Sequence, residues 1–163
     1  MAKKLNSMRF LEQHSVVYEL VEFDAAIHSA AGVAEAVGVP EDSVYKTLVV
    51  LPDDNTPRPK PMLVLLGGNR ELDLKAFARE TGFKRVRMAT HQEAESLTGL
   101  KVGGISPLAL TSKNWPVYID APALQYGHIL ISAGQRGLNL RVPVAELIRI
   151  LDMQAVACSR QAA

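Results

Sequence analysis

Apolar positions along the chain repeat with two spacings, and Gly, Pro and small polar residues stand where one spacing gives way to the other. Met8 and Leu11, with Phe10 beside them, fall on one face of a helix that Asn6 or Ser7 caps and that runs to about Gln13. Val16–Phe23 alternates and predicts a strand. Ser29 caps a second helix through Val37, ended by Gly38, and Pro40-Glu41-Asp42 predicts a short helical turn. Val44–Leu51 and Met62–Leu66 are apolar strands. The proline-rich polar stretch Pro52–Pro61 between them has the composition of a mobile hairpin loop.

Farther on, Asp73 caps a helix through Glu80 that Gly82 stops, and Thr90 caps another to Leu97 that Gly99 stops. Val86–Ala89, Pro116–Ile119, Ile129–Ser132 and the alternating Arg136–Val142 predict strands. Pro143 opens a final helix at its first turn, where a missing N–H costs nothing, with Val144, Leu147, Ile148 and Leu151 inward. Met153–Cys158 predicts a last strand and Ser159–Ala163 a fraying end. Strands and helices are interspersed without strict βαβ alternation, and one pair reads as a hairpin. The expected class is α/β in the broad sense (α+β), a mixed and partly antiparallel sheet with helices on it. A chain of 163 residues is expected to form one domain over 1–163.

Composition narrows the setting. Hydrophobic residues make up 48% and charged residues 21%, the balance of an ordinary globular chain. The single Cys158 excludes an intrachain disulfide and fits a reducing cytosol, so a cytoplasmic location is expected. Met1-Ala2-Lys3-Lys4 lacks the apolar run of a signal peptide. The longest apolar runs, such as Thr47–Leu51 and Met62–Leu66, are too short to span a bilayer, so no membrane role is expected. Net charge is +1, yet residues 1–56 hold four Lys/Arg against nine Asp/Glu and residues 57–163 fourteen against eight. A polyanion would meet the later part; on charge alone the pattern reads as a solvated surface.

The side-chain inventory excludes several chemistries. His14, His28, His91 and His128 are scattered, without the spacing of a zinc site, so no metal is expected. Neither a G-x-S-x-G elbow nor a phosphate-loop fingerprint occurs. Cys158, at the fraying end without a neighbouring base, reads as an incidental thiol. With no nucleophile–base pair on offer, any catalysis must come from preorganised donors, positioning and the substrate's own groups.

Two segments stand out against that background. Lys46 interrupts the apolar strand Val44-Tyr45-Lys46-Thr47-Leu48-Val49-Val50 and shares a face with Val44, Leu48 and Val50. It either lays its stem over apolar neighbours and reaches solvent, the ordinary fate of a lone strand lysine, or points into a cavity. Gly103-Gly104-Ile105-Ser106-Pro107 is a common turn solution, or a loop whose main-chain N–H groups bind a carbonyl or oxyanion. Ser106 serves as a turn residue or a hydroxyl donor. Ser132 to Leu138 is a hairpin or a second pocket wall from which Arg136 reaches a phosphate. Tyr18 and Phe23 fill the core or stack on a base. Lys84, Arg85 and Arg87, the densest basic cluster, form a solvated face or a phosphate contact.

In this order, Val44-Tyr45-Lys46-Thr47-Leu48, Leu72-Asp73-Leu74-Lys75, Val102 to Leu108, Ile119-Asp120-Ala121-Pro122 and Ser132 to Leu138 resemble the YbaK family of aminoacyl-tRNA deacylases. These are free-standing relatives of the editing domain inserted in bacterial prolyl-tRNA synthetase. The lysine and the G-x-x-x-P element, Gly103 to Pro107, mark the broader superfamily, and Gly-Gly-Ile-Ser-Pro-Leu is similar to its cysteine-specific branch.

The resemblance implies a barrel-like mixed sheet surrounded by helices. It implies removal of cysteine from Cys-tRNA(Pro), or from Cys-tRNA(Cys), by attack of the substrate thiol on its own ester carbonyl. Catalytic roles fall to Lys46, Gly103 and Gly104, with Lys46 holding the terminal adenosine, its phosphate or the ester. Substrate-binding roles fall to Phe23, Tyr45, Thr47, Ile105, Ser106, Pro107, Ser132, Gly134, Arg136 and Asn139. No cofactor is implied; the partners are aminoacyl-tRNA and prolyl-tRNA synthetase, with the chain a monomer or weak dimer. Asn139 stands where the family pattern has an aspartate, and Phe23 where it has a tyrosine, which leaves amino-acid preference open. The alternatives are water-driven deacylation of Ala- or Ser-tRNA, and a non-catalytic tRNA- or synthetase-binding module.

Overall fold

Residues 4–162 are described by the structure, a computed structural model. In chain order the elements are α1 (Asn6–Gln13), β1 (Glu19–Glu22), α2 (Ala30–Val37), β2 (Tyr45–Pro52), β3 (Met62–Gly67), β4 (Arg70–Leu72), α3 (Leu74–Thr81), β5 (Val86–Met88), α4 (His91–Thr98), β6 (Val117–Asp120), β7 (His128–Gln135), β8 (Leu138–Pro143), α5 (Val144–Leu151), β9 (Gln154–Val156) and β10 (Ser159–Gln161). Among the described residues no helix is long and apolar enough to cross a membrane.

A five-stranded sheet has the order β5-β2-β3-β6-β9. Its β2–β3 and β2–β5 pairs are antiparallel and its β3–β6 and β6–β9 pairs parallel, the mixed sheet that the hairpin pattern predicts. A three-stranded antiparallel sheet, β1-β8-β7, joins it through one parallel bridge, Val44 to Leu130. The main core lies between the two: Val49, Leu65 and Ile119 meet Ile131, Leu140 and Val142, closed off by Met8 and Leu11 of α1 and Leu147 of α5. On the other face, Val50, Met62, Val64 and Leu66 are covered by Phe77 and Ala78 of α3. Strand β3 is thus buried on both faces, which is why its sequence is an unbroken apolar run.

Local signals set the helix ends. Ser29, Asp73 and Thr90 each accept a hydrogen bond from a main-chain N–H of the first helical turn, and Gly38, Gly82 and Gly99 end the same helices in the left-handed conformation. Three expectations are corrected. Helix α1 is capped by Leu5 and not by Asn6 or Ser7; the Ser7 hydroxyl is buried and donates to the Ala133 carbonyl at 2.6 Å. Pro143 sits at the N-cap, one position before the first turn. Residues 159–161 do not fray: they form β10, antiparallel to β4.

The anchor for that end is Asp120. Its buried carboxylate accepts from the Cys158 N–H at 3.1 Å and from the Ser159 hydroxyl. Arg70 of β4 pairs with it at 3.8 Å and donates to the Ser159 hydroxyl at 2.5 Å. A buried carboxylate is tolerated when such partners surround it. Cys158, 1% exposed beside this charge, has its thiol pushed up to about 12, first by burial and then by Asp120. It is a neutral core residue and not part of a frayed end.

Candidate functional site

Strand β2 is where the two sheets part. One edge pairs with β3 from Tyr45 to Val50. The other touches β7 at Val44 and meets β5 only from Val50 onward. Between those points no described strand pairs with that edge of β2, and a cleft of about 360 Å³ opens along residues 44–48. The first turn of α2, with the segment that leads into it (Ile27, His28, Ser29, Ala30, Ala31), forms one wall. Val102, Gly103 and Ile105 form another, and Ser132 and Asn139 of the small sheet line the cleft beside Phe23.

Lys46 reaches this cleft from β2. Burial pulls its ammonium below the ordinary lysine value, against the weaker opposing pull of Glu71 and Glu41. Among the described residues no carboxylate lies within ion-pair distance of it. A partly desolvated cation without a counter-ion is an anion site in physical terms. On the adjoining residue, the Thr47 hydroxyl is buried and has no hydrogen-bond partner among the described residues. A hydroxyl left in that state costs about 1–3 kcal/mol, so a partner supplied by an occupant of the cleft would be favourable.

The diglycine loop divides its labour. Gly103, at φ +91°, presents its backbone at the cleft against His28; a Cβ there would lie 3.6 Å from the His28 carbonyl oxygen. Gly104 turns away: its N–H donates to the Lys101 carbonyl at 2.7 Å, and a Cβ would lie 3.0 Å from the Arg136 main-chain nitrogen. The loop is pinned at Val102, immediately before Gly103. The Val102 N–H donates to Glu95 at 2.8 Å, and Arg136 donates to the Val102 carbonyl at 2.8 Å.

Of the residues singled out from sequence, Lys46, Gly103, Phe23, Tyr45, Thr47, Ile105, Ser132 and Asn139 line one cleft. Gly104, Ser106, Pro107, Gly134 and Arg136 lie outside its lining. Ser106 is fully buried and its hydroxyl accepts from the Leu108 N–H at 3.2 Å, starting a 3-10 turn with Pro107 at its head. The Gly134 N–H donates to the Ser132 hydroxyl at 3.1 Å, and a Cβ on Gly134 would lie 2.9 Å from that of Ala109. These residues hold the walls in place.

The wall formed by α2 was not foreseen. Ser29 marks the helix start, yet nothing local says that this start abuts β2. The signal that existed was Gly68, which lines the cleft and lets α2 approach.

A family model described as aminoacyl-tRNA editing domain matches residues 24–150. EbsC of Enterococcus faecalis, named as a candidate Cys-tRNA(Pro)/Cys-tRNA(Cys) deacylase, is 36% identical over 154 residues, 93% of this chain and 91% of that protein. A proline–tRNA ligase of Shouchella clausii is 34% identical over 106 residues, 65% of this chain and 18% of the ligase. A crystal structure described as that of a candidate trans-editing enzyme for prolyl tRNA synthetase superposes with a TM-score of 0.79 at 26% identity, covering 98% of this chain and 99% of that one.

Proposed function

Since the chain belongs to the aminoacyl-tRNA editing domain family, we propose that it removes cysteine from mischarged Cys-tRNA(Pro), with the substrate's own thiol as nucleophile. The observation that carries this reading is the cleft itself. It joins Lys46, unpaired among the described residues, to the Gly103 main chain and holds no protein thiol, since Cys158 is buried elsewhere. Similarity to EbsC, over nearly the whole of both chains, supports the choice of cysteine.

In this reading the terminal adenosine and its cysteinyl ester enter along residues 44–48. The substrate sulfur attacks the ester carbonyl carbon; a C–S bond forms and the C–O bond to the ribose breaks. The thiol proton ends on the departing ribose hydroxyl, and the products are a cyclic thioester and free tRNA. A thiol with an ordinary pKa of about 8.5 supplies some thiolate at neutral pH, whereas a serine hydroxyl supplies almost none. The cleft contributes proximity and charge: the Gly103 N–H and the Lys46 ammonium face the developing oxyanion, and one aligned donor is worth about 3 kcal/mol. A synthetase pocket for proline discriminates against cysteine by only about 1–3 kcal/mol, which is why a second sieve is useful. Prolyl-tRNA synthetase is the partner from which the mischarged tRNA would come.

One observation favours a second reading. His28 lines the cleft beside Gly103 and offers a base for water, which would extend the substrates to Ala- or Ser-tRNA. Deacylation of Cys-, Ala-, Ser- and Pro-tRNA by the wild type and by Lys46→Ala separates the two. Release of cysteine alone supports the first reading and release of alanine or serine the second. No rate above spontaneous hydrolysis rejects both.

A further inference from the structure

We propose that a basic groove between α3 and the start of β5 binds the sugar–phosphate backbone of the RNA whose 3′ end occupies the cleft. This inference rests on the reading of the chain as acting on aminoacyl-tRNA. The groove has a volume of about 440 Å³, and Lys75, Arg79, Lys84 and Arg85 line it with Asp53 as the sole carboxylate. All four cations are exposed, and none is in an ion pair among the described residues. The neighbouring Arg87 is different, for Glu93 holds it by two hydrogen bonds. Four uncommitted cations over one small groove repel one another and gain from a polyanion.

Position relative to the cleft selects RNA over other anions. Lys46, Leu48 and Val50 project from the same face of β2. Leu48 lines the cleft and also packs in the cluster that contains Leu74 and Phe83, which form the apolar floor of the groove. Leu48 therefore links the cleft to the apolar cluster under the groove. The Asp53 N–H donates to the Arg85 carbonyl at 2.9 Å, so the far end of β2 is tied to the groove wall. The seven-residue step from Lys46 to Asp53 spans about 23 Å at roughly 3.3 Å per residue, or about seven stacked nucleotides at 3.4 Å each. Beyond Leu48 strand β2 is buried, so a strand leaving the cleft passes over the outer side of α3 and brings its upstream phosphates over the four cations. Phosphate contacts from the four cations position RNA without choosing its sequence.

The test is a titration of uncharged tRNA, read by fluorescence anisotropy at several salt concentrations. The proteins are the wild type, Lys84→Glu/Arg85→Glu, and Arg149→Ala as a basic control on α5. The expected result is a tenfold or greater loss of affinity for the double variant, with the slope of log Kd against log salt smaller by about two. Arg149→Ala shifts neither, and matching melting temperatures show that all three proteins are folded. With aminoacyl-tRNA, the double variant lowers the ratio of kcat/KM on tRNA to kcat/KM on a short aminoacyl-adenosine ester by at least tenfold. Wild-type affinity and salt slope in the double variant overturn the proposal. Groove-dependent tRNA binding without turnover of any aminoacyl ester sinks the deacylase reading and leaves this one standing; turnover with groove-independent binding does the reverse.

Discussion

A Cβ added to Gly68 would lie 2.2 Å from the Cβ of Ala30. The absence of a side chain at Gly68 is what lets the first turn of α2 close down on β2 and become a wall of the cleft. Gly68→Ala forces the neighbouring segments to shift, since the Val44 carbonyl would also lie 3.1 Å from the new methyl. We expect a loss of about 1–3 kcal/mol in urea unfolding together with a raised KM. Unchanged stability and kinetics would show that α2 can withdraw at no cost.

Lys46 is predicted to trade stability for activity. Its folded-state pKa lies below the ordinary 10.5 because burial disfavours the ammonium. Between those two values the unfolded chain binds more protons, so raising the pH through that window relieves the folded state and stability rises. Lys46→Met should therefore melt no lower than wild type at pH 7 while losing about 10²-fold or more in kcat/KM. A destabilised but active variant would mean that the lysine is scaffold.

Thr47→Val removes a hydroxyl that has no partner among the described residues. Apo stability should hold or improve, because an unsatisfied polar group is replaced by an isosteric methyl. Activity should fall about tenfold if the occupant of the cleft supplies that partner. Thermal melts and steady-state deacylation check the two halves independently.

Asp120 anchors the C-terminal end, and that end is distant in chemistry from the reaction. Asp120→Ala strands Arg70 and the Cys158 N–H and should cost about 3 kcal/mol. Hydrogen exchange should speed in β4 and β10. Cys158→Ala should leave deacylation within about twofold of wild type, because the thiol is buried and held neutral near 12. A strong kinetic loss in the cysteine variant would place a protein thiol in the mechanism.

What could be read from the chain followed the range of the forces involved. The caps Ser29, Asp73 and Thr90 and the stops Gly38, Gly82 and Gly99 act within one helical turn, so their residues declare them. The double-faced burial of β3 shows in its unbroken apolar run. Strands β4 and β10 were missed because Arg70-Glu71-Leu72 and Ser159-Arg160-Gln161 are mostly polar, and their pairing depends on Asp120, distant in sequence from both. At the site, Lys46 and Gly103 were conspicuous because each breaks a local rule: a charge in an apolar strand, a doubled glycine in a short loop. The supporting parts played by Gly134, packed against Ala109, and by Arg136, bonded to Val102, arise from contacts between segments, which residue types alone do not reveal; the bond from Leu108 to Ser106 is local, and a turn role for Ser106 was legible.

If the substrate's sulfur performs the attack inside the Lys46–Gly103 cleft, capping that sulfur must stop the reaction. The most direct measurement compares deacylation of cysteinyl-tRNA(Pro) with that of the same tRNA carrying S-methylcysteine, under single-turnover conditions. Rapid loss of cysteine with only background loss of the methylated residue is the expected result. Equal rates for the two esters would contradict it and assign the attack to water.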